Sequence, residues 1–454
     1  MKGCASVFLY DRHLVACVLL PSMDPKHAFS GMMIAGIPIE FGIFALTLLG
    51  VALFHHHTLK VALCGLGALV AYKLGFSVFG HGHQPGLGGL AHHLGAEWVT
   101  LANLFGLLTG FALLASAFER SHAPAMLPRF LPNDWKGGFV LLLLVFVLSS
   151  FLDNIAAAMI GGTIAAVVYH KRVHIGYLAG IVAASNAGGA GSVVGDTTTT
   201  MMWIRGASPL DVVHAYVGAG AAVLIVAFIA ARQQQAHQPI QKDAPAGMHL
   251  DWAQLGIVAL ILVFAIGMNV LLNTVLASSW RADIGDLFPW IGGAVWLAIL
   301  ISVPLRKPDW SLMPGAVKGS IFLLSLVLCA SMMPVEKLPA PSWQTACGLG
   351  FVSAVFDNIP LTALAIAQDN YDWGVLAYAV GFGGSMVWFG SSAGVALSNT
   401  FPEAKSVGAW LRHAWHVTLA YVVGCVALVF LMGWHPQPLR PATPQPPSVT
   451  HPAP

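Results

Sequence analysis

The stretch that decides the fold is "SSFLDNIAAAMIGG", Ser149–Gly162. An acid and an amide, Asp153 and Asn154, stand where two apolar arms of about 15 residues meet. A helix needs ~20 apolar residues to cross a hydrocarbon core ~30 Å thick, so neither arm suffices for a full crossing. The pattern predicts a re-entrant helical hairpin with Asp153-Asn154 at its tip. It recurs in "GFVSAVFDNIPLTALAIA", residues 350–367, centred on Asp357-Asn358.

A second pair of segments follows these two. "HIGYLAGIVAASNAGGAGSVVGDTTTTMMWI" (174–204) and "WGVLAYAVGFGGSMVWFGSSAGVALSN" (373–399) are long apolar runs interrupted at their middles by Gly, Ser, Thr or Asn. They read as discontinuous helices with unwound centres. Gly188, Gly189 and Gly195 in the first match Gly383, Gly384 and Gly390 in the second, with the same five residues between pair and single glycine. Two motifs recurring in the same order make an internal repeat.

Outward from these motifs the chain is 57% hydrophobic and 9% charged, against about 25% charged in soluble proteins. Its near-neutral net charge, +2, offers no nucleic-acid footprint. Simple spanning helices are expected near 36–54, 58–79, 98–118, 211–231, 252–277, 286–304, 312–333 and 408–433. The fold class is therefore an all-α polytopic membrane protein, an inverted repeat of about five spanning helices per half with two re-entrant hairpins and two broken helices. Loop charges support the inversion. With hairpins that do not cross, thirteen of the 21 Lys and Arg residues fall on one side and seven on the other, Lys73 lying within a span. If the hairpins crossed, the split would be eleven to nine. The positive-inside rule thus places the linker in the cytoplasm and both termini outside.

The expected organisation is an N-terminal extension (1–35), a first transmembrane repeat (36–231), a cytoplasmic linker (232–251), a second repeat (252–433) and a disordered Pro-rich tail (434–454). In the extension, "VFLYDRHLVACVLL" resembles the apolar part of a signal peptide interrupted by Asp11 and Arg12. Either a signal peptide or a true start at Met23 accounts for it, and the second is preferred. A His- and Gly-rich loop is expected at 80–97. The six cysteines are scattered without a CxxC and point to neither metal nor disulfide.

An ionised side chain inside a bilayer costs at least ~2.5–3.5 kcal/mol even on lenient scales. Asp153, Asp196 and Asp357 all carry that cost, each at a hairpin tip or helix break. Asn154, Asn358, Asn186, Thr198, Thr199, Ser391 and Ser392 add neutral oxygens, and the unwound backbone adds carbonyls. Such a setting suits a hard monovalent cation or a proton. Helix capping by the aspartates is the bland alternative, but a serine would cap without a charge. His55–His57, His81, His83, His92 and His93 read as loop or interface residues, and Glu40 as an interfacial acid. Gly390-Ser391-Ser392-Ala393-Gly394 matches the G-x-S-x-G nucleophile pattern, yet it lacks the strand–turn–helix setting that the pattern requires. No enzyme activity is expected.

"SSFLDNIAAA", "ASNAGGAGSVVGDTTTTMMW" and "GFGGSMVWFGSSAGVA" resemble the signature segments of the ion transporter superfamily, and within it most closely the NhaD-type sodium/proton antiporters. The resemblance implies cation transport through the residues matching Asp153, Asn154, Asn186, Asp196, Thr198, Thr199 and Asp357. It also implies a homodimer with a moving transport domain in the inner (plasma) membrane of a bacterium. No cofactor is implied beyond transported or coupling Na+ or H+. The superfamily includes citrate and other carboxylate carriers, so two readings stand: sodium(lithium)/proton antiport, and cation- or proton-coupled carriage of a small carboxylate. Aspartates at the tips, where the carboxylate carriers tend to neutral residues, favour the first.

Overall fold

A computed structural model describes residues 32–34, 36–54, 57–79, 84–241, 249–272 and 287–439. Most of the extension, His55, His56, His81, His83, the middle of the linker and the tail from residue 440 lie outside the described residues. In the first half the helices are α1 Ile39–Leu53, α2 Thr58–Phe76, α3 Gly86–Arg120, α4 Ala123–Met126, α5 Trp135–Ser149, α6 Asn154–Val168, α7 Ile175–Ala190, α8 Thr197–Ile204, α9 Pro209–Val213 and α10 Ala215–His237. In the second they are α11 Trp252–Val270, α12 Trp290–Ser302, α13 Met313–Ser331, α14 Trp343–Ser353, α15 Asn358–Gln368, α16 Trp373–Gly383, α17 Ser392–Thr400, α18 Val407–His413 and α19 Trp415–Met432. The described residues also hold two short antiparallel strand pairs, Met33–Ile34 with Ile37–Pro38 and Val78–Phe79 with Gln84–Pro85.

Six helical stretches among the described residues are long and apolar enough to cross a membrane. Their outward faces carry large apolar side chains, such as Phe430 at 84% exposure, which water would disfavour and lipid accepts. The protein is an integral, multi-pass, α-helical membrane protein.

Three expectations about boundaries need correction. The loop predicted at 80–97 is helical from Gly86, because Leu87, Leu90 and Leu94 continue the apolar spacing and glycine is tolerated in membrane helices. The resulting 35-residue α3 is ~52 Å long and overshoots the bilayer core. His93 on this extension is buried and bonds Ser331 at 3.0 Å, while His92 is exposed. The linker predicted from 232 begins as helix to His237. The buried Gln234 holds that turn, donating to Arg172 O at 3.0 Å and accepting from His174 N at 2.7 Å. The span predicted at 408–433 divides at Ala414, where α18 turns to pack on α7.

The segments predicted as hairpins are α5–α6 and α14–α15. The 15 residues of each first-hairpin arm give ~22 Å, well short of the core thickness. Both ends of this hairpin touch the start of the linker. The Arg232 guanidinium stacks 4.9 Å from the Trp135 ring, and Gln241 N donates to Val168 O at 2.8 Å. The second hairpin closes on itself at its own open end, where Gln368 Nε2 donates to Pro339 O at 2.7 Å, just ahead of the Ser342 cap of α14.

One side-chain contact recurs in the two halves. Ser149, four residues before Asp153, donates to Ser185 O at 2.5 Å. Ser353, four before Asp357, donates to the equivalent carbonyl, Val380 O, at 2.8 Å. Packing across the halves is reciprocal: α6 lies on α17, and α15 lies on α8.

Candidate functional site

Four half-helix N-termini meet at the centre of the molecule, and each carries one of the sequence-predicted residues as its cap. Asp153 Oδ2 accepts from Ile155 N at 3.2 Å, Asp196 Oδ1 from Thr198 N at 3.3 Å, Asp357 Oδ1 from Ile359 N at 3.0 Å, and Ser391 Oγ from Gly394 N at 3.2 Å. The capping role is therefore real. It also sets the electrostatics, because the positive ends of the helix dipoles point at the three carboxylates.

The residues are joined by more than caps. Asp196, 2% exposed, is the node. Asn154 Nδ2 lies 3.5 Å from its Oδ1 and Asn358 Nδ2 3.4 Å from its Oδ2, long contacts from the two hairpin tips to one carboxylate. Asn154 also donates to Asn186 Oδ1 at 3.1 Å, and Asn186 passes its own amide to Ser385 Oγ at 2.9 Å. Ser392 Oγ donates to Asp357 Oδ2 at 2.8 Å.

A cavity of about 460 Å³ reaches this cluster. Asp153, Asn154, Asp196, Thr197, Asn358 and Ser392 form its polar floor. Facing surfaces of α3 and α13 wall it, and Glu119 and Leu312 mark its mouth. That mouth is on the linker's side of the molecule, where Asp251 N donates to Ser121 O at 3.0 Å. Among the described residues, no Lys, Arg or His lines the cavity. Arg205, at the end of α8, pairs instead with Glu97 of α3.

The remaining predicted residues stand off the cavity. Asp357 is behind Ser392, and Asn186 is a layer deeper. Thr198 and Thr199 are wholly buried, and the Thr199 hydroxyl is committed to the carbonyls of Asp196, at 2.9 Å, and Ser192. The glycines allow close approach. A Cβ on Gly188 would come within 2.0 Å of Phe146 O, and one on Gly383 within 2.3 Å of Gly350 O. Those on Gly189 and Gly384 would come within 2.7 Å of Asp196 Cβ and Gly390 O respectively. Sequence reasoning missed Ser385, which is wholly buried and completes the Asn186 link. Its signal was its position directly after Gly383-Gly384, where the first repeat has Ala190.

No protein-family model matches the chain. Among curated proteins the chain is similar to sodium/proton antiporter 1 of Arabidopsis thaliana, at 28% identity over 58% of this chain and 49% of that protein. It is similar also to sodium/proton antiporter 2 of the same plant, at 26% identity over 58% of this chain and 68% of the relative. The Na(+)/H(+) antiporter NhaD of Vibrio parahaemolyticus gives 26% identity over 58% of this chain and 72% of its own length. The chain thus spans about half the length of the first of these relatives. All three are transporters and none is an enzyme.

Proposed function

We propose that the protein is a secondary active transporter exchanging sodium or lithium for protons at the Asp153–Asp196 floor of the cavity. One observation carries this reading: the cavity ends on carboxylates, amides and hydroxyls, and no basic side chain among the described residues lines it. A hard monovalent cation finds oxygen ligands there at once. A di- or tricarboxylate meets like charge, and Arg205, the nearest basic residue in sequence to a break, is already engaged by Glu97. Coupling follows from competition, since each proton taken up by the floor removes a ligand charge.

Purified protein in liposomes is expected to release protons in response to sodium or lithium, with an apparent cation affinity that weakens as pH falls. Saturable citrate uptake, stimulated by sodium and without sodium- or lithium-dependent proton flux anywhere in the neutral range, would overturn the assignment in favour of the carboxylate reading.

Alternating access is read here as motion of two inverted hairpin units. In support, the first hairpin has both ends by the linker and the second is closed at its own open end beside Pro339. The loop-charge split makes the linker side cytoplasmic, so the cavity belongs to an inward-facing state. In a cysteine-less background, single cysteines replacing Lys136 and Arg172 should react with an impermeant thiol reagent from the cytoplasmic face, and one replacing Lys337 from the opposite face. Labelling of the first two from opposite faces would sink the inverted-repeat reading.

A further inference from the structure

The wall that α3 contributes to the cavity is a single helical stripe: Leu108, Phe111, Ala112, Ala115, Ser116 and Glu119. At 1.5 Å per residue the stripe is ~16 Å long, running from the level of the floor to the mouth. Everything on it is apolar or a hydroxyl until its last member. The facing wall runs from Leu312, just ahead of α13, through Gly315, Ala316, Gly319, Ser320 and Leu323 of α13, and none of these is charged. Among the described residues, Glu119 is therefore the one charged side chain in the cavity besides the floor aspartates.

Of the basic groups near the mouth, Arg306 is ion-paired and Arg120 is turned to a backbone carbonyl. Arg120 Nη1 donates to Lys307 O at 3.3 Å, and Arg306 Nε pairs with Asp251 Oδ2 at 3.1 Å. Both arginines line a separate small depression against α11 and α12. Glu119 itself forms no ion pair among the described residues. A lone carboxylate at the rim of a cleft with low-dielectric walls focuses its field inward and raises the local concentration of cations.

We propose that Glu119 is the cation-admitting residue of the linker-side cavity, a positioning residue that concentrates sodium at the mouth without binding it at the transport site. This rests on the antiport reading. A charge acting over the ~16 Å from mouth to floor at an effective dielectric of roughly 20–30 is worth roughly a 3- to 5-fold change in local cation concentration. Its signature is a change in half-saturation and not in turnover.

The test uses everted membrane vesicles, which expose the linker face, and sodium-driven proton flux at low ionic strength. Glu119→Gln is expected to raise the half-saturating sodium concentration roughly 3- to 5-fold at unchanged maximal rate. Glu119→Asp should stay close to wild type. Choline chloride, which screens the mouth, should raise the wild-type value towards that of Glu119→Gln and leave the variant nearly unmoved. Equal half-saturation in wild type and Glu119→Gln overturns the proposal. So does a fall in maximal rate with half-saturation unchanged, which would mark a structural role. A wild type with no sodium-dependent flux overturns the antiport reading itself, so the two failures are told apart by the first trace recorded.

Discussion

Asp196→Asn is expected to abolish sodium-dependent proton flux while leaving the protein folded and inserted. Asp196 is the only aspartate of the three that both hairpin tips address, through Asn154 at 3.5 Å and Asn358 at 3.4 Å. An asparagine fits the same space but removes the charge that a cation would neutralise. It also offers one oxygen where Asn154, Asn358 and the Thr198 amide seek two. A contact to a charged group is worth about 1.5–3 kcal/mol, so sodium affinity should fall by roughly 10- to 100-fold. Stability should not suffer, because an unpaired carboxylate inside a membrane protein is itself costly. The check pairs sodium binding or flux with thermal unfolding of the same detergent-purified variant. Near-normal flux with wild-type pH dependence would reduce Asp196 to a helix cap. Asp357→Asn should cost less, because Asp357 stands behind Ser392 and outside the cavity lining.

Much of this arrangement could be read before any coordinates. An aspartate between two apolar arms marks a helix break, and Asp153 and Asp357 do stand between α5 and α6 and between α14 and α15. The broken helices were legible because Gly188-Gly189 and Gly383-Gly384 interrupt apolar runs that would otherwise continue. What stayed hidden was set by tertiary contact. The extension of α3 to Gly86 looked like a loop because glycine and histidine signal turns in water, and in lipid they need not. The helical start of the linker depends on Gln234 finding Arg172 and His174, residues some sixty positions away. Ser385 was invisible for the same reason, since its partner Asn186 belongs to the other half of the chain. The relative standing of the three aspartates was hidden too. Sequence spacing made Asp153 and Asp357 equivalent, and the reciprocal packing of α6 on α17 and α15 on α8 leaves only the first of them facing the cavity.

Gly195→Ala is expected to be among the most damaging single-methyl changes in the protein. The Gly195 backbone passes so close to the end of α5 that an added Cβ would lie 2.1 Å from Ser149 O. The obstructing atom is backbone, so no rotamer change relieves the overlap. The hairpin must instead move away from the break, loosening the Ser149–Ser185 bond at 2.5 Å that aligns them. Forced overpacking of this kind costs about 1–3 kcal/mol, and more where the neighbour cannot yield. Gly390→Ala meets the equivalent obstacle in the second half, Ala354 O at 2.5 Å, and should behave alike. Gly220→Ala is the control: nothing lies within 4 Å of its Cβ, and alanine in mid-helix is favoured over glycine by about 1 kcal/mol. In detergent, thermal unfolding should rank Gly220→Ala at or above wild type and both break-site variants well below it, with flux lost in the latter two. If Gly195→Ala melted with the wild type and transported normally, the close seating of α5 against the break would be wrong. The hairpin tip would then lack the fixed backing that holds Asn154 within reach of Asp196.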